Sequence, residues 1–371
     1  MRVTFPSAIV VGVALAAGTA ASAQGTGSMG AVPREEAIAL KVLVDRVLAG
    51  DPAGGDAWLK WSGHFMRAAD GRVYVPFTLR LDDVTAEFAP VAIYVRVAPR
   101  GASSKPLDVK VRDAQLGTAV SAPERNFARG NPTAGEASAQ MGLIASELSA
   151  VPMPFEGVYV SGALTGQAPE IRRSLVVAPG EYDLYVAVRE RPRSGGPSRL
   201  KSAVLQTNLT VPDLSGDTLT VSSLILADRI TALGKRLSAS QQAERPYAIN
   251  STEVFPRTGG SFERGDVLSV VFFAYNLAVD EKKLPDATVQ YRFRQMSTGA
   301  VFGEMAPQHF SRDHTPPEFD SHAGRQLAVT QALPLATFPP DTYELEVLMV
   351  DNLSGRAASQ SARFTVGTGR Q

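Results

Sequence analysis

The chain has 371 residues with 37 basic and 37 acidic side chains, a balance that gives no electrostatic argument for a nucleic-acid partner. It contains no cysteine, which excludes disulfide staples, a thiol nucleophile and the lipid-bearing cysteine of a bacterial lipoprotein. Stability must come from burial and backbone pairing.

The first element is an address. "MRVTFPSAIVVGVALAAGTAASAQ" carries one cation, Arg2, then an apolar run from about Ala8 to Ala17, then Ala21-Ser22-Ala23. Basic, apolar and small residues in that order predict a secretory signal peptide over 1–23. The run is too short and too rich in small residues to span a bilayer. No later stretch approaches the length of a membrane span, so the expected location is secreted or periplasmic.

Residues 24–57 predict a flexible start and an amphipathic helix. Pro33 suits the first turn, Glu35 and Glu36 suit its positive end, and Gly50 suits the stop. Ile38, Leu40, Val42, Leu43, Val44, Val47 and Leu48 give a wide apolar face, which predicts that the helix packs on something.

From residue 58 the period changes to two. In "VYVPFTLRLD", Val73, Val75, Phe77, Leu79 and Leu81 alternate with Tyr74, Pro76, Thr78, Arg80 and Asp82. Alternation is the mark of a half-buried strand, and Pro76, lacking an N–H, predicts an edge or a bulge. "VAIYVRV", "LDVKV", "GVYVSG", "RRSLVVA", "PGEYDLYVAV" and "AVLQTNLTV" continue the pattern to Pro212. An irregular insertion near 114–150, rich in Ala, Gly, Ser and Pro, interrupts it; "MGLIASELSAV" inside it has the look of a short helix. Residues 213–246 combine a strand candidate, "TLTVSSLILA", with a polar stretch, and are expected to act as a connector. Over 247–367 the strands return: "DVLSVVFFAYN", apolar on both faces, then "ATVQYRFRQ", "RQLAVTQAL", "YELEVLMV" and "SARFTV", before a tail at 368–371.

Two stretches say nearly the same thing. Pro179, Tyr182, Leu184, Val186 and Val188 match Pro340, Tyr343, Leu345, Val347 and Met349. A proline, a tyrosine three residues on and then an alternating apolar row predict the corner and penultimate strand of an immunoglobulin or fibronectin III-like sandwich, where the tyrosine bonds back to the preceding chain. The expected fold is therefore all-β, with two tandem sandwiches, 58–212 and 247–367. Tyr182 and Tyr343 are the structural residues of that reading. The first sandwich holds 18 Lys/Arg against 14 Asp/Glu and the second 10 against 14, an opposition that suggests docking between them.

"SSLILADRI", "PDATVQYRF", "TPPEFDSHAGRQL" and "LPLATFPPDTYELEV" resemble the C-terminal sandwich region of exported bacterial proteins of uncharacterised function, some with a von Willebrand A-type domain upstream. The resemblance covers about 213–367 well and 58–212 loosely. It implies export and a sandwich, and no chemistry. The D-x-S-x-S metal motif of the von Willebrand A domain is absent from this chain.

Four patches carry candidate chemistry. His309, Asp313, His314, Glu318, Asp320 and His322 crowd into "HFSRDHTPPEFDSH". Imidazole beside carboxylate suits a divalent ion, and His309, His314, Asp320 and His322 are the metal candidates, although the spacing fits no helical or zinc-ribbon pattern. Arg189, Arg191, Arg193, Arg199 and Lys201 surround one hairpin tip in "RERPRSGGPSRLK", a basic tip for an anionic glycan, headgroup or acidic partner. Trp58 and Trp61 offer stacking surfaces for a sugar, or simply core packing. "GTGSMG", which spells G-x-G-x-x-G, follows the address rather than a strand, so no dinucleotide is expected.

The sequence thus predicts an exported, non-catalytic binding or scaffolding protein with no cofactor, whose partner is a protein or another envelope component. A metal-dependent module or enzyme built on 309–322, and a glycan-binding accessory protein, are the alternatives.

Overall fold

The structure is a computed structural model that describes residues 3–5, 32–55, 58–68, 70–82, 87–88, 90–101, 153–161, 164–165, 169–191, 201–235, 237–249, 252–311, 319 and 325–368. Much of the predicted signal peptide, the "LDVKV" strand, the 114–150 insertion and most of the histidine-rich loop lie outside those residues.

In chain order the first half comprises β1 (Val3–Phe5), α1 (Arg34–Leu48), β2 (Leu59–Gly63), β3 (Met66–Arg67), β4 (Val73–Leu81), β5 (Glu87–Phe88), β6 (Val91–Pro99), β7 (Phe155–Val160), β8 (Leu164–Thr165), β9 (Glu170–Val177), β10 (Gly180–Glu190) and β11 (Ser202–Val211). The second half comprises β12 (Thr220–Val221), β13 (Ile225–Ala232), α2 (Ala239–Glu244), β14 (Ala248–Ile249), β15 (Thr252–Pro256), β16 (Ser261–Glu263), β17 (Val267–Tyr275), β18 (Ala287–Gln295), β19 (Val301–Met305), β20 (Gln308–Phe310), β21 (Leu327–Pro334), β22 (Asp341–Asp351) and β23 (Ala357–Gly367). The protein is all-β, with α1 and α2 as its described helices.

Four main sheets stack in layers. A first outer sheet runs β11-β10-β6-β7, and a first inner sheet places β4 between β9 and the β2/β3 pair. A second inner sheet is built on β17, flanked by β21 on one side and by β12 and β13 on the other, and continues through β15 to β14. A second outer sheet runs β1-β19-β18-β22-β23-β16, with β20 also paired to β18. β5 and β8 form a small separate ribbon.

Periodicity explains each layer. Val91, Ile93, Val95 and Val97 of β6 face Val73, Val75, Phe77 and Leu79 of β4 across the first pair of sheets, all buried. Leu268, Val270 and Phe272 of β17 face Tyr291, Phe293, Leu345 and Val347 across the second pair. The other row of β17, Val271, Phe273 and Tyr275, belongs to the same apolar cluster as β4, so the two inner sheets also pack on each other. This is why β17 reads as apolar on both faces.

The polar row of β4 is buried in that seam. Tyr74 is 5% exposed and Thr78 1%, so the strand predicted as half-buried is covered on both sides. Tyr74 OH donates to Pro246 O at 2.7 Å, and Tyr247 OH donates to Pro76 O at 3.1 Å. Pro76 is not at an edge, since β4 is central. It stands opposite Ser174 on one side, and on the other it meets the break between β2 and β3, where the missing N–H leaves no orphan across the ladder.

Residues 213–246 differ from a connector in composition and in place. Leu219, Val221, Leu224, Ile225 and Leu226 are buried, and β12 and β13 are hydrogen-bonded to β17. The run "TLTVSSLILA" was apolar enough to be core, and the structure puts it there.

The repeated tyrosines have matching surroundings. Tyr182 OH donates to Ala178 O at 3.1 Å, and Tyr343 OH donates to Pro339 O at 2.7 Å. Each opens the strand, β10 or β22, that pairs with the last strand of its half, β11 or β23. The copies differ in the turn that precedes the tyrosine. Gly180 has φ +153, and a Cβ there would meet Tyr182 Oη at 3.1 Å. Its counterpart in the second copy is Asp341, whose carboxylate takes hydrogen bonds from Ser297 and Gln295.

Candidate functional site

Among the described residues nothing packs over the outward face of the second outer sheet, and that face is charged. Strand pairing sets Arg292 opposite Glu346 and Arg294 opposite Glu344, while Glu344 lies opposite Arg363 on the far side. Arg292 Nε sits 3.0 Å from Glu304 and its Nη1 3.4 Å from Glu346, and Arg363 Nε is 3.4 Å from Glu344. Arg294 Nη1 donates to Gly299 O at 3.0 Å. Three guanidiniums and three carboxylates thus alternate across four strands without a local excess of either sign. Ion pairs this exposed contribute at most about 1 kcal/mol each, so their ends are free to turn toward a ligand.

Two grooves score this face. One, of about 320 Å³, is lined by Arg292, Arg294, Glu344, Glu346, Ser359, Gln360 and Ser361. The other, of about 190 Å³, follows from a gap in pairing. β18 pairs with β19 at Arg292–Arg294 and with β20 at Ala287–Val289. Gln290 and Tyr291 are left beside the bend through Met305 and Pro307, and those two residues with Leu348 give the groove an apolar floor. Below it Tyr291 OH, 1% exposed as a residue, donates to Gln308 Oε1 at 3.1 Å, and Gln308 bonds in turn to Gln331 of the inner sheet. The grooves offer donors and acceptors in rows at strand spacing, a surface suited to an extended polar chain.

The sequence-predicted residues are dispersed. His309 lies exposed on β20, its Nδ1 3.1 Å from Thr288 Oγ1. His314, Asp320 and His322 lie outside the described residues, and no group of metal-binding side chains occurs among the described ones. Arg189 lies near the end of β10 and Arg191 just past it, with Arg191 Nε 3.1 Å from Glu36 of α1; Arg193 and Arg199 lie outside the described residues. Trp58 and Trp61 are partly buried against the first core, and Trp61 stacks on Phe77 with ring centroids 4.1 Å apart.

Sequence reasoning missed the buried ionic groups. Arg96 is 1% exposed, donating from Nε to Glu156 at 2.8 Å and to Tyr94 OH at 2.9 Å, and from Nη1 to Asp45 of α1 at 2.7 Å. Tyr94 OH donates to Glu156 at 2.5 Å. In the alternation of "VAIYVRV" Arg96 sits on the polar row and looks solvated; the helix upstream is what covers it. A second group ties the inner sheets together. His64 Nδ1 is 2.9 Å from Tyr247 OH, and burial pulls its pKa from the ordinary 6.5 down to about 4. Arg67 lies over the ring of Tyr275 at 4.7 Å and donates to Leu214 O at 2.6 Å and Asn276 Oδ1 at 3.0 Å. Both groups join elements that are distant in the sequence.

No protein-family model matches the chain, and no curated protein matches it by sequence. Among solved structures it is similar to red sea bream transglutaminase at 7% identity with a TM-score of 0.20. The likeness covers 84% of this chain and 31% of that enzyme.

Proposed function

We propose that the protein is an exported, non-catalytic binding or scaffolding module of the cell envelope, made of two tandem immunoglobulin-like sandwiches fused through their inner sheets. The observation that carries this reading is the outward face of the second outer sheet, left open among the described residues, with its grooves and its rows of Arg292, Arg294, Glu344 and Glu346. Two features support the rest: the N-terminal sequence has the order of a signal peptide, and the stacked sheets share continuous apolar clusters, which suits a rigid spacer.

Crosslinking and pull-down from the envelope fraction tests it. The intact chain should recover a partner that the Arg292→Ala, Glu346→Ala double variant recovers poorly. A partner recovered equally by both chains removes the role of this face. Turnover of a substrate by purified protein removes the non-catalytic assignment.

A further inference from the structure

β23 runs along one side of the second outer sheet, and most of its outer edge is unpaired among the described residues. It pairs with β22 over Ala357–Val366, while on its other side β16 covers only Thr365–Gly367. β12 of the inner sheet comes near β23 without pairing to it. Two bonds fix which backbone groups face the free side. Asp351 N donates to Arg356 O, toward β22, and Thr365 N donates to Gly260 O, away from it. Alternation along the strand then turns the N–H and C=O of Ala357, Ser359, Ser361 and Arg363 to the free side. Gln360 folds over this edge. Ser361 N donates to Gln360 Oε1 at 3.1 Å, where a neighbouring strand would supply a carbonyl.

Proteins guard such edges with charge, proline or a bulge. From Ala357 to Ala362 this edge has none of them: the residues are "AASQSA", and the register with β22 runs through them without a shift. Ala357, Ser359 and Ser361 are exposed, and Ala358, Gln360 and Ala362 are half-buried at the rim of the second core.

The same stretch is complementary to itself. Ala358-Ser359-Gln360-Ser361-Ala362 reads alike in both directions. With a twofold axis at Gln360, an antiparallel second copy sets Ala358 opposite Ala362, Ser359 opposite Ser361 and Gln360 opposite its own equivalent. Ser359 and Ser361, which turn their backbone groups outward, would exchange both N–H···O bonds with the other chain. No charge meets its like, because Arg363 falls opposite Ala357. The small side chains let the strands approach, and the half-buried row gains a cover.

We infer that the free edge of β23 is a self-pairing surface: two copies join antiparallel about Gln360, and their second outer sheets become one continuous sheet. Such a contact is isologous and closes at two copies. The larger groove, lined in part by Ser359, Gln360 and Ser361, then lies beside its twin across the axis.

Analytical ultracentrifugation of the purified protein should show the mass rising from one chain to two between about 1 μM and about 1 mM. Ser361→Pro removes an outward N–H that makes no bond to β22, a position where an edge strand tolerates proline. This variant should stay at one chain with unchanged circular dichroism. A charge test leaves the backbone alone. The Ser359→Lys, Ser361→Lys chain and the Ser359→Glu, Ser361→Glu chain should each stay single, and their mixture should form a one-to-one dimer. Register is read by oxidation, since the chain has no cysteine. Facing residues at a non-hydrogen-bonded position lie about 4.5 Å apart at Cα, within disulfide reach. Gln360→Cys should therefore crosslink to itself at least about tenfold faster than Ser359→Cys, whose twin is displaced along the strand. A mass that stays at one chain up to about 1 mM overturns the inference. So does a dimer that survives in the proline and lysine variants, or one that crosslinks as readily through position 359. None of these readouts needs a captured partner, so failure of the scaffolding reading leaves them intact.

Discussion

The two outer sheets share a plan and differ in what covers them. β6, β10 and β11 in the first correspond to β18, β22 and β23 in the second, each with a tyrosine opening the middle strand. Yet the outward rows are unlike. The first shows Ala92, Tyr94, Arg96, Ala98 and Ala187, and lies under α1; the second shows Gln290, Arg292, Arg294, Glu344 and Glu346, and lies open among the described residues. An arginine on the outward row therefore means opposite things. Arg96 is sealed between two carboxylates, and Arg292 reaches two carboxylates in solvent. What separates them is the company they keep: small residues and tyrosines make a seat for a helix, while the charges of Arg292, Arg294, Glu344 and Glu346 leave only a small apolar floor around Leu348.

The largest effect should come from breaking this contrast at the arginines. Arg96→Ala leaves Glu156 and Asp45 facing an emptied site under α1 and should cost about 3–5 kcal/mol. Arg292→Ala breaks two exposed pairs and should cost less than about 1 kcal/mol. Urea midpoints at equal slope measure both. Equal costs would mean that α1 leaves Arg96 as hydrated as Arg292.

How much of this was legible follows from the same residues. Strand rows such as Val73 to Leu81 and Leu345 to Met349 announce one buried face by alternation, and the repeated Pro-x-x-Tyr announces the corners. What alternation does not encode is the neighbour beyond the sheet. Tyr74, Thr78 and Arg96 all occupy polar rows and are all buried, because a second sheet or a helix arrives from far along the chain; hydrogen bonds meet the hydroxyl of Tyr74 and the guanidinium of Arg96 there. The charged grooves were missed for a related reason. Arg292 and Glu346 are 54 positions apart, and strand register alone makes them neighbours. For the histidine loop, a local cluster in sequence suggested chemistry, and the one described member, His309, is occupied with Thr288.

The inner sheets test whether the seam between the halves is coupled to pH. His64 faces Tyr247 across it and titrates near 4 rather than 6.5. The folded form therefore holds neutral imidazole, and the unfolded chain takes up a proton first as pH falls. The stability from this site is complete above 6.5 and is lost progressively as pH drops toward 4. The slope is at most about 1.4 kcal/mol per pH unit for one proton. His64→Gln should flatten that part of the curve in a denaturation series. An unchanged slope would assign the acid sensitivity to the carboxylates.

A smaller effect should distinguish the two corners. Tyr343→Phe and Tyr182→Phe each remove one hydroxyl bond, with an expected cost of about 1 kcal/mol. Tyr343 is fully buried, with its bond at 2.7 Å, and Tyr182 is 9% exposed with 3.1 Å. The cost should be larger at Tyr343, by thermal or urea unfolding. The reverse order would show that the turn at Gly180, crowded against the Tyr182 ring, leans more heavily on its tyrosine.

The smallest expected effect is that of salt on overall dimensions. Residues 58–212 carry a basic excess and residues 247–367 an acidic one, which taken alone predicts halves drawn together by charge. The seam is made otherwise. Val271, Phe273, Tyr275, Ile225 and Val254 meet the β4 side in one apolar cluster, and its polar contacts are hydrogen bonds donated by Tyr74, Tyr247 and Arg67 to fixed carbonyls and one that Ser223 Oγ accepts from Phe65 N. Raising salt shortens the Debye length from about 10 Å at 0.1 M to about 3 Å at 1 M and weakens exposed charge pairs, but it does not weaken apolar burial. The radius of gyration from solution scattering should therefore be the same at both ionic strengths. An increase at high salt would mean that the opposed charges, and not the shared core of the inner sheets, hold the halves together.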